Sequence, residues 1–294
     1  MPDLADVAQN ARDLEPATLT VFIPITHYID AFLHQAIDSI RAQSRSDWRL
    51  MFVVPESRVA HFQALLSEPL TDPRVRLVGL QGHRLAGAYN TAMRAAETAF
   101  VAPLLGDDLW SHDAVAVLAQ HIAQHPEVDF FHTGRRFVDA NTQPISSAYL
   151  PTEPVTVETF VSSSPVKHLM CWRASMGLAC GGVDESLQNH ASDDYDFPWT
   201  MLEHGARFHA IQQPLYVFRD HREGFRLTTH IPRNVQEQAL RQILTKHGVP
   251  SERIRERLKQ GQYLRQSLFR NAIHQWIRER IGFDARRGWR ERYR

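Results

Sequence analysis

Four short apolar or alternating segments, separated by helical patterns, constrain the fold of this chain more than any other feature of its sequence. The segments read TLTVFIP, WRLMFVV, RVRLVGL and AFVAPLL, and they occupy residues 18–24, 48–54, 74–80 and 99–105. Such segments predict strands that are buried in a sheet. Apolar residues spaced three and four apart predict helices between the strands, at residues 29–40, 61–66 and 84–97. The alternation predicts an α/β fold with a mostly parallel sheet flanked by helices.

The loop after the fourth strand carries two adjacent acids. The segment GDDLW places Asp107 and Asp108 beyond the carboxyl end of that strand, where open parallel sheets bind their ligands. Neighbouring carboxylates repel each other and lose hydration unless a positive group offsets this, and a hard divalent cation is a suitable partner. An exposed turn that caps a helix beginning near Ser111 explains the same residues. The sequence leaves both interpretations open.

Two later segments contain further candidates for chemistry. The segment SDDYDFPW holds Asp193, Asp194 and Asp196 ahead of a predicted helix. An N-cap with acids in the first helical turn accounts for these residues as well as an acid–base role does. The segment FRDH ends at His221, which suits a metal ligand, a phosphate contact or an ordinary surface loop.

Charge divides the chain into two regions. Residues 1–221 contain 15 Lys and Arg against 26 Asp and Glu, whereas residues 222–294 contain 18 against 7. An acidic body argues against a protein that grips nucleic acid and suits one that holds a metal cation. The basic tail is predicted to be helical and to pack on the body or self-associate, or to lie on an anionic membrane surface; contact with nucleic acid is a third interpretation, which no recognised binding motif supports. Its apolar stripe consists of Leu264, Leu268, Ala272, Trp276 and Ile277.

Composition also bears on the compartment. The N-terminal segment MPDLADVAQNARDLEP has neither the basic nor the apolar region of a secretory signal. Two cysteines, Cys171 and Cys180, cannot form a disulfide framework or a four-cysteine zinc site. No apolar run approaches the roughly 18–20 residues of a membrane span. We therefore predict a cytoplasmic protein, and contact with the inner face of the membrane is the alternative that the basic tail allows.

The order of these segments resembles the family 2 inverting glycosyltransferases, which have the GT-A fold. The resemblance covers about residues 18–221, so it predicts a leader at 1–17, a GT-A domain at 18–221 and a basic helical region at 222–294. The matching motifs occur in the family's order: IPIT, VVPES, GDD, CWRASMGLACGGVDESL, SDDYDFPWTMLEHG and LYVFRDH.

The resemblance implies roles for particular residues. Asp108 matches the family's ligand for Mn²⁺ or Mg²⁺, and Asp107 matches a contact to the nucleotide ribose or the metal. Asp194 matches the general base, and His221 matches a histidine that approaches the metal or the diphosphate. The nucleotide and the donor sugar would contact Thr26, Glu56, Arg84, Asp107, Asp108, Gly181 and Gly182.

Two positions depart from the family's pattern. The second strand normally ends in two aspartates, of which the first reads uracil, whereas this chain has Pro55 and Glu56. Proline offers neither a side-chain acceptor nor an N–H group, so either Glu56 takes over or the donor carries another base. Leu105 replaces the leading aspartate of the metal motif, so phosphate and water would complete the metal's ligands.

The resemblance implies a single displacement at a sugar. A divalent ion beside the leaving diphosphate stabilises the transition state, and a carboxylate removes the proton of the acceptor hydroxyl. The expected donor is a nucleotide-diphosphate sugar, with a UDP-sugar first, and the expected acceptor is a glycan or a lipid-linked glycan in bacterial-type surface polysaccharide or glycoconjugate synthesis. A catalytically silent GT-A-like protein that binds a nucleotide or glycan is the alternative.

Overall fold

The computed structural model describes residues 17–187, 192–221 and 233–260, and these residues fold around one nine-stranded sheet. The strands are β1 (Leu19–Pro24), β2 (Trp48–Val54), β3 (Val75–Gly79), β4 (Phe100–Pro103), β5 (Leu109–Trp110), β6 (Phe130–Val138), β7 (Pro144–Tyr149), β8 (Met170–Arg173) and β9 (Phe208–Arg219). Their order is β3-β2-β1-β4-β8-β6-β9-β5, and β7 pairs with β6 outside this path.

Helices lie on both faces of the sheet. They are α1 (Asp30–Arg41), α2 (Val59–Leu65), α3 (Arg84–Ala95), α4 (Ala114–Gln124), α5 (Val157–Ser162), α6 (Ala174–Ala179), α7 (Phe197–Glu203), α8 (Arg233–Lys246) and α9 (Ser251–Gln260). One buried cluster contains apolar side chains of α1, α2 and α4, and a second contains those of α3, α7 and α8. The sheet is therefore covered on both sides, as its continuous apolar strands predict.

The first half of the sheet matches the sequence prediction. Strands β1, β2, β3 and β4 are parallel neighbours, and β1 is buried along almost its whole length. Because these strands are parallel, their carboxyl ends share one edge of the sheet, and the loops that follow Pro24, Val54, Gly79 and Pro103 meet there. We call this side of the sheet the carboxyl edge.

The second half of the sheet is mixed. Strand β8 is antiparallel to β4 and β6, β9 is parallel to β6, and β5 is antiparallel to β9. Strands β6 and β7 form an antiparallel hairpin. Two reversals, from β4 to β8 and from β8 to β6, give β6 and β9 the direction of β4. Strand β9 therefore ends at the carboxyl edge, where it delivers Arg219.

Helices α8 and α9 lie against the acidic body. Apolar side chains of both helices belong to the cluster that contains α3 and α7. Lys246 places its Nζ 2.9 Å from Oδ2 of Asp184 and 2.7 Å from Oδ2 of Asp196. Of the arrangements expected for the basic region, packing on the body is observed for residues 233–260. Membrane contact and self-association stay predictions.

Some predictions concern residues that the structure does not describe. The predicted leader falls mostly on residues 1–16, and the apolar stripe of the tail falls on residues 264–277, both outside the described residues. Within the described ranges, no helix combines the length and the apolar character that crossing a bilayer requires.

Candidate functional site

Asp108 is the buried member of the acidic pair that follows β4. It is 1% exposed. Its Oδ2 accepts a hydrogen bond from the hydroxyl of Tyr216 at 2.7 Å, and its Oδ1 accepts one from the backbone N–H of Arg219 at 2.7 Å. Hydrogen bonds to an ionised carboxylate are among the strong ones in proteins. Asp108 therefore ties the loop after β4 to the end of β9, and its contact with a metal stays a prediction.

Asp107 is the open member of this pair. Its side chain is 37% exposed, and its Oδ2 lies 3.2 Å from Nε2 of His221. The His221 ring packs edge-on against Phe32, with ring centroids 4.7 Å apart. Its Nδ1 is buried without a hydrogen-bond partner among the described residues. A carboxylate oxygen beside an imidazole nitrogen is a donor set that Mn²⁺ accepts, so the residues present fit a divalent cation.

Arg219 fixes the position of Asp107, a role that the sequence analysis missed. The arginine is completely buried. It donates from Nε to the carbonyl of Asp107 at 2.8 Å, from Nη1 to the carbonyl of Ala140 at 2.8 Å, and from Nη2 to Oε1 of Gln35 at 2.6 Å. A buried cation is tolerated when it is hydrogen-bonded in this way. The FRDH segment carried the signal, but only His221 was selected from it.

Asp193 is the buried member of the second acidic pair, which lies in a π-helical turn, Ser192–Asp196, directly before α7. Its Oδ2 accepts a hydrogen bond from the hydroxyl of Tyr89 at 3.3 Å and lies 3.6 Å from Nε2 of His168. Burial acts to raise the pKa of Asp193, but the interaction with His168, together with hydrogen bonds from the backbone and from Tyr89, holds the pKa below its ordinary value. Asp193 is an anchored carboxylate, as Asp108 is.

Asp194 has the opposite surroundings. Its carboxylate accepts no hydrogen bond from any residue that the structure describes. Burial raises the pKa of Asp194, the charge of Asp193 raises it further, and the charge of Lys167 acts against both. A carboxylate with a raised pKa is a better proton acceptor than one in water. Asp194, which is not held by a hydrogen bond from the described residues, therefore suits an acid–base role.

Two basic side chains, Lys167 and Arg135, act on the second pair. Burial lowers the pKa of Lys167 to about 8, and the charge of Asp194 opposes that change. Burial also lowers the pKa of Arg135, and the charges of Asp194 and Asp108 oppose it. Arg135 is thus within electrostatic reach of both pairs. No motif in the sequence singled out either residue.

The two acidic pairs are joined by a short chain of contacts. Tyr216 donates its hydroxyl to Asp108 and stacks on the ring of His168, with centroids 5.5 Å apart and an interplanar angle of 29°. His168 in turn faces Asp193. The structure therefore brings the predicted GDD and SDDYD segments together. Tyr216 lies in the LYVFRDH segment, but the resemblance assigned a role only to His221 there, and His168 belongs to none of the motifs.

Gly181 and Gly182 form a loop that lies against α3. Their φ angles are +90° and +78°, a conformation that other residues seldom adopt. A Cβ at position 182 would lie 2.4 Å from Oδ1 of Asn90, whereas position 181 faces open space. Asn90 donates to the carbonyl of Val183 at 2.9 Å and accepts from its N–H at 2.7 Å. Asn90 therefore holds the glycine loop.

The other predicted donor contacts follow β1, β2 and β3 at the carboxyl edge. Thr26 is exposed, and its carbonyl accepts a hydrogen bond from Nη1 of Arg58 at 3.2 Å. The carboxylate of Glu56 lies against Gly79, where a Cβ would be 1.6 Å from Oε2, so the glycine makes room for it. Arg84 is exposed at the start of α3 with a φ of 56°. Nucleotide contact by these residues stays a prediction.

Known proteins are similar to this chain in sequence. The model of glycosyl transferase family 2 matches residues 20–175, more than half of the chain. The chain is 23% identical over 237 residues to the O-antigen biosynthesis protein RfbC of Myxococcus xanthus, an alignment that covers 74% of this chain and 18% of that protein. The chain spans only 18–28% of the length of the curated relatives that it matches.

Solved structures are similar to it in fold. A fragment of S. aureus TarS (residues 1–349), in complex with UDP-GlcNAc, has a TM-score of 0.59 and 16% identity over 78% of this chain and 66% of that chain. The mannosyltransferase PcManGT of Pyrobaculum calidifontis, in complex with GDP-Man and Mn²⁺, has a TM-score of 0.53 and 20% identity over 84% of this chain and 72% of that chain. These likenesses confirm the predicted GT-A fold. Together with the family match, they show that this chain belongs to glycosyl transferase family 2.

Proposed function

We propose that this chain transfers a sugar from a nucleotide-diphosphate sugar to an acceptor hydroxyl, with inversion at the anomeric carbon. The observation that carries the proposal is the contact chain from Asp108 through Tyr216 and His168 to Asp193. It joins the two acidic segments. In the first, Asp107 is partly exposed beside His221; in the second, Asp194 accepts no hydrogen bond from the described residues. The carboxylate of Asp107 can bind a cation, and that of Asp194 can accept a proton. The displacement needs both a cation beside the leaving group and a base beside the acceptor hydroxyl.

Asp107 and His221 are the residues that we propose to hold a divalent cation, Mn²⁺ or Mg²⁺. The family resemblance assigns the metal to Asp108, whereas the contacts favour Asp107: its side chain is 37% exposed beside His221, while Asp108 is 1% exposed and accepts a hydrogen bond from β9 at each oxygen. Leu105 leaves ligand positions that donor phosphate and water would fill. When bound, the cation offsets the negative charge that develops on the leaving diphosphate. PcManGT, a neighbour in fold, was solved with Mn²⁺.

Asp194 is the proposed general base. It takes the proton of the acceptor hydroxyl while that oxygen bonds to the anomeric carbon and the diphosphate leaves with the electron pair of the broken bond. Its raised pKa strengthens it as a base, and the opposing charge of Lys167 helps to keep it ionised near neutral pH. A positioned base of this kind contributes about 10²–10⁴-fold to the rate.

The donor is proposed to bind along the carboxyl edge, with a UDP-sugar as the first expectation. TarS was solved with UDP-GlcNAc and PcManGT with GDP-Man, so neighbours in fold use either base. Pro55 offers no side-chain acceptor to the base, which leaves Glu56 for that role. The proposed donor contacts are Thr26, Glu56, Arg84, Asp107, Asp108, Gly181 and Gly182.

The acceptor is proposed to be a glycan or a lipid-linked glycan in bacterial-type surface polysaccharide or glycoconjugate synthesis. The name of the RfbC relative, an O-antigen biosynthesis protein, supports this role. The basic tail would bring the enzyme to an anionic membrane surface. Flotation with anionic vesicles tests this: the full-length chain should float and a chain ending at Gln260 should float less, whereas equal flotation contradicts membrane contact through the tail.

Product analysis tests the proposed reaction. Purified protein is incubated with UDP- or GDP-sugars and a glycan acceptor in the presence of Mn²⁺ or of a chelator, and the released nucleoside diphosphate and the anomeric form of the glycoside product are measured. We expect metal-dependent release, an inverted product and loss of release in Asp194→Asn. Nucleotide binding without release from any donor would instead favour a catalytically silent protein, the alternative that Leu105 and Pro55 support.

A further inference from the structure

Three histidines cluster at the end of the sheet opposite the carboxyl edge. His121 and His125 lie one turn apart on α4 and just after it, and His209 lies near the start of β9. All three side chains are half-buried. Their rings are close together, with centroids 5.1 Å apart for His121 and His209 and 4.3 Å apart for His125 and His209. We call these residues the histidine triad.

The nitrogen atoms of the histidine triad are close enough for one ion to reach all three after the rings shift. One ring nitrogen from each residue lies within 4.8 Å of the others. Nδ1 of His121 and Nε2 of His209 are 3.0 Å apart. Tetrahedral coordination at about 2.0–2.1 Å places two nitrogens about 3.3–3.4 Å apart, so the observed pair needs to separate by only a few tenths of an ångström.

The protonation state of the triad also fits a metal site, because the rings cannot all be charged imidazolium groups. At 3.0 Å, one imidazole N–H must point at a lone pair of the other ring, so at least one of His121 and His209 is neutral in this arrangement. Nδ1 of His125 faces the carboxylate of Glu127 at 3.8 Å, which leaves Nε2 for a ligand. A carboxylate beside the second ring nitrogen is the usual outer partner of a metal-bound histidine.

The histidine triad is separate from the proposed cation site at Asp107 and His221. Strand β9 runs from Phe208 to Arg219, so His209 lies near its start and Arg219 ends at the carboxyl edge. Over this stretch β9 pairs with residues 131–138 of β6, and at a rise of about 3.3 Å per residue this puts about 23 Å between these two residues. The ligand types differ as well, because three imidazoles favour transition metals, whereas carboxylate and phosphate oxygens favour Mg²⁺ or Mn²⁺.

We propose that His121, His125 and His209 bind one divalent transition-metal ion of the Zn²⁺ class, with water at the remaining position. The ion joins the C-terminal end of α4 to the start of β9 and stabilises that contact. A histidine hydrogen bond with ring stacking is the competing explanation, and it predicts no metal affinity.

Zinc titration of the full-length, tag-free protein tests the proposal. The binding stoichiometry and affinity for Zn²⁺ are measured by calorimetry, and the same proteins are titrated with Co²⁺, whose visible absorption reports its coordination. The variants are His209→Gln and His121→Gln. The controls are His112→Gln, which removes an exposed histidine before α4, and Asp107→Asn, which alters the proposed cation site at the carboxyl edge.

We expect wild type and both controls to bind one Zn²⁺ equivalent at the triad. In His209→Gln and His121→Gln the affinity for this equivalent should fall by more than about 100-fold, because losing only an outer partner of a ligand already costs about 10–100-fold. Unchanged circular dichroism shows that the variants are folded, and the Co²⁺ absorption should disappear with the same equivalent. Zn²⁺ binding to His209→Gln with the stoichiometry and affinity of wild type, or loss of the equivalent only in Asp107→Asn, would overturn the proposal.

Discussion

The two acidic pairs of this protein share one plan although they belong to different parts of the fold. In each pair a tyrosine hydroxyl holds one buried carboxylate, at 2.7 Å for Asp108 and at 3.3 Å for Asp193. The adjacent carboxylate, Asp107 or Asp194, is left open. A pair of neighbouring acids therefore need not share a role, because one member can position the loop while the other faces the ligand.

The pairs differ in what faces the open carboxylate. Asp107 is partly exposed and lies beside the imidazole of His221, an arrangement that suits a cation. Asp194 has a raised pKa caused first by burial and then by Asp193, which suits a proton. The surroundings, and not the Asp-Asp sequence itself, thus set the chemistry of each pair.

The largest expected effect is at Asp194. Asp194→Asn keeps the shape of the side chain and removes the proton acceptor, so kcat for sugar transfer should fall by about 10²–10⁴-fold. Circular dichroism should show that the variant is folded at the assay temperature, because the side chain keeps its shape. Asp113→Asn, a change at an exposed acid before α4, is the matched control. Transfer at near-normal rates in Asp194→Asn would remove Asp194 as the base.

Substitutions of Asp107 and Asp108 should differ in their effect on the free energy of unfolding. Asp108→Asn replaces one acceptor oxygen by an amide donor facing Tyr216 or the Arg219 N–H, so the free energy of unfolding should fall by about 1–3 kcal/mol. Asp107→Asn should change it by less than about 0.5 kcal/mol, as surface changes usually do. Denaturant unfolding of both variants measures the difference. Equal losses would show that the two carboxylates are not divided into anchor and open group.

The pH dependence of transfer should report the charge of Lys167. Asp194 acts as a base only when ionised, so kcat/KM should fall as the pH falls through its pKa. Lys167 lowers that pKa, so Lys167→Met should raise it and move the acid limb of the profile to higher pH. Arg207→Met, at an exposed basic residue, should leave the limb in place. If the acid limb of the profile does not move in Lys167→Met, the charge of Lys167 does not affect the pKa of Asp194.

The smallest effect is expected at Tyr89. Its hydrogen bond to Asp193 is long, so Tyr89→Phe should lower the free energy of unfolding by about 0.5–1 kcal/mol. Tyr216→Phe, which removes the 2.7 Å bond to Asp108, should cost more. Thermal unfolding of the two variants side by side gives the comparison. A larger loss for Tyr89→Phe would reverse the ranking of the two anchors.

Sequence predicted the first half of the fold well for a physical reason. Parallel strands buried on both faces require nearly continuous apolar segments, so β1 to β4 could be located to within a residue or two. The second half was predicted less completely. Strand β8 has only four residues, and β9 has a register shift against β6. Local periodicity predicts neither the direction nor the order of such strands in the sheet.

The candidate site divides in a similar way. Local motifs identified both acidic pairs and the loop of Gly181 and Gly182, because each is a compact pattern. They did not show which acid is open, since this depends on distant groups such as Tyr216, which lies more than a hundred residues from Asp108. For the same reason the charge of Lys167 beside Asp194 emerged only from the fold.

Calorimetric titration of UDP and GDP, with and without Mn²⁺, tests most directly whether Asp108 positions the loop of the first pair while Asp107 binds the cation. The proteins compared are wild type, Asp107→Asn and Asp108→Asn, at a temperature at which all three are folded. We predict that Mn²⁺ strengthens nucleotide binding in wild type and in Asp108→Asn but not in Asp107→Asn. Loss of the Mn²⁺ effect in Asp108→Asn, with its retention in Asp107→Asn, would contradict the division of roles.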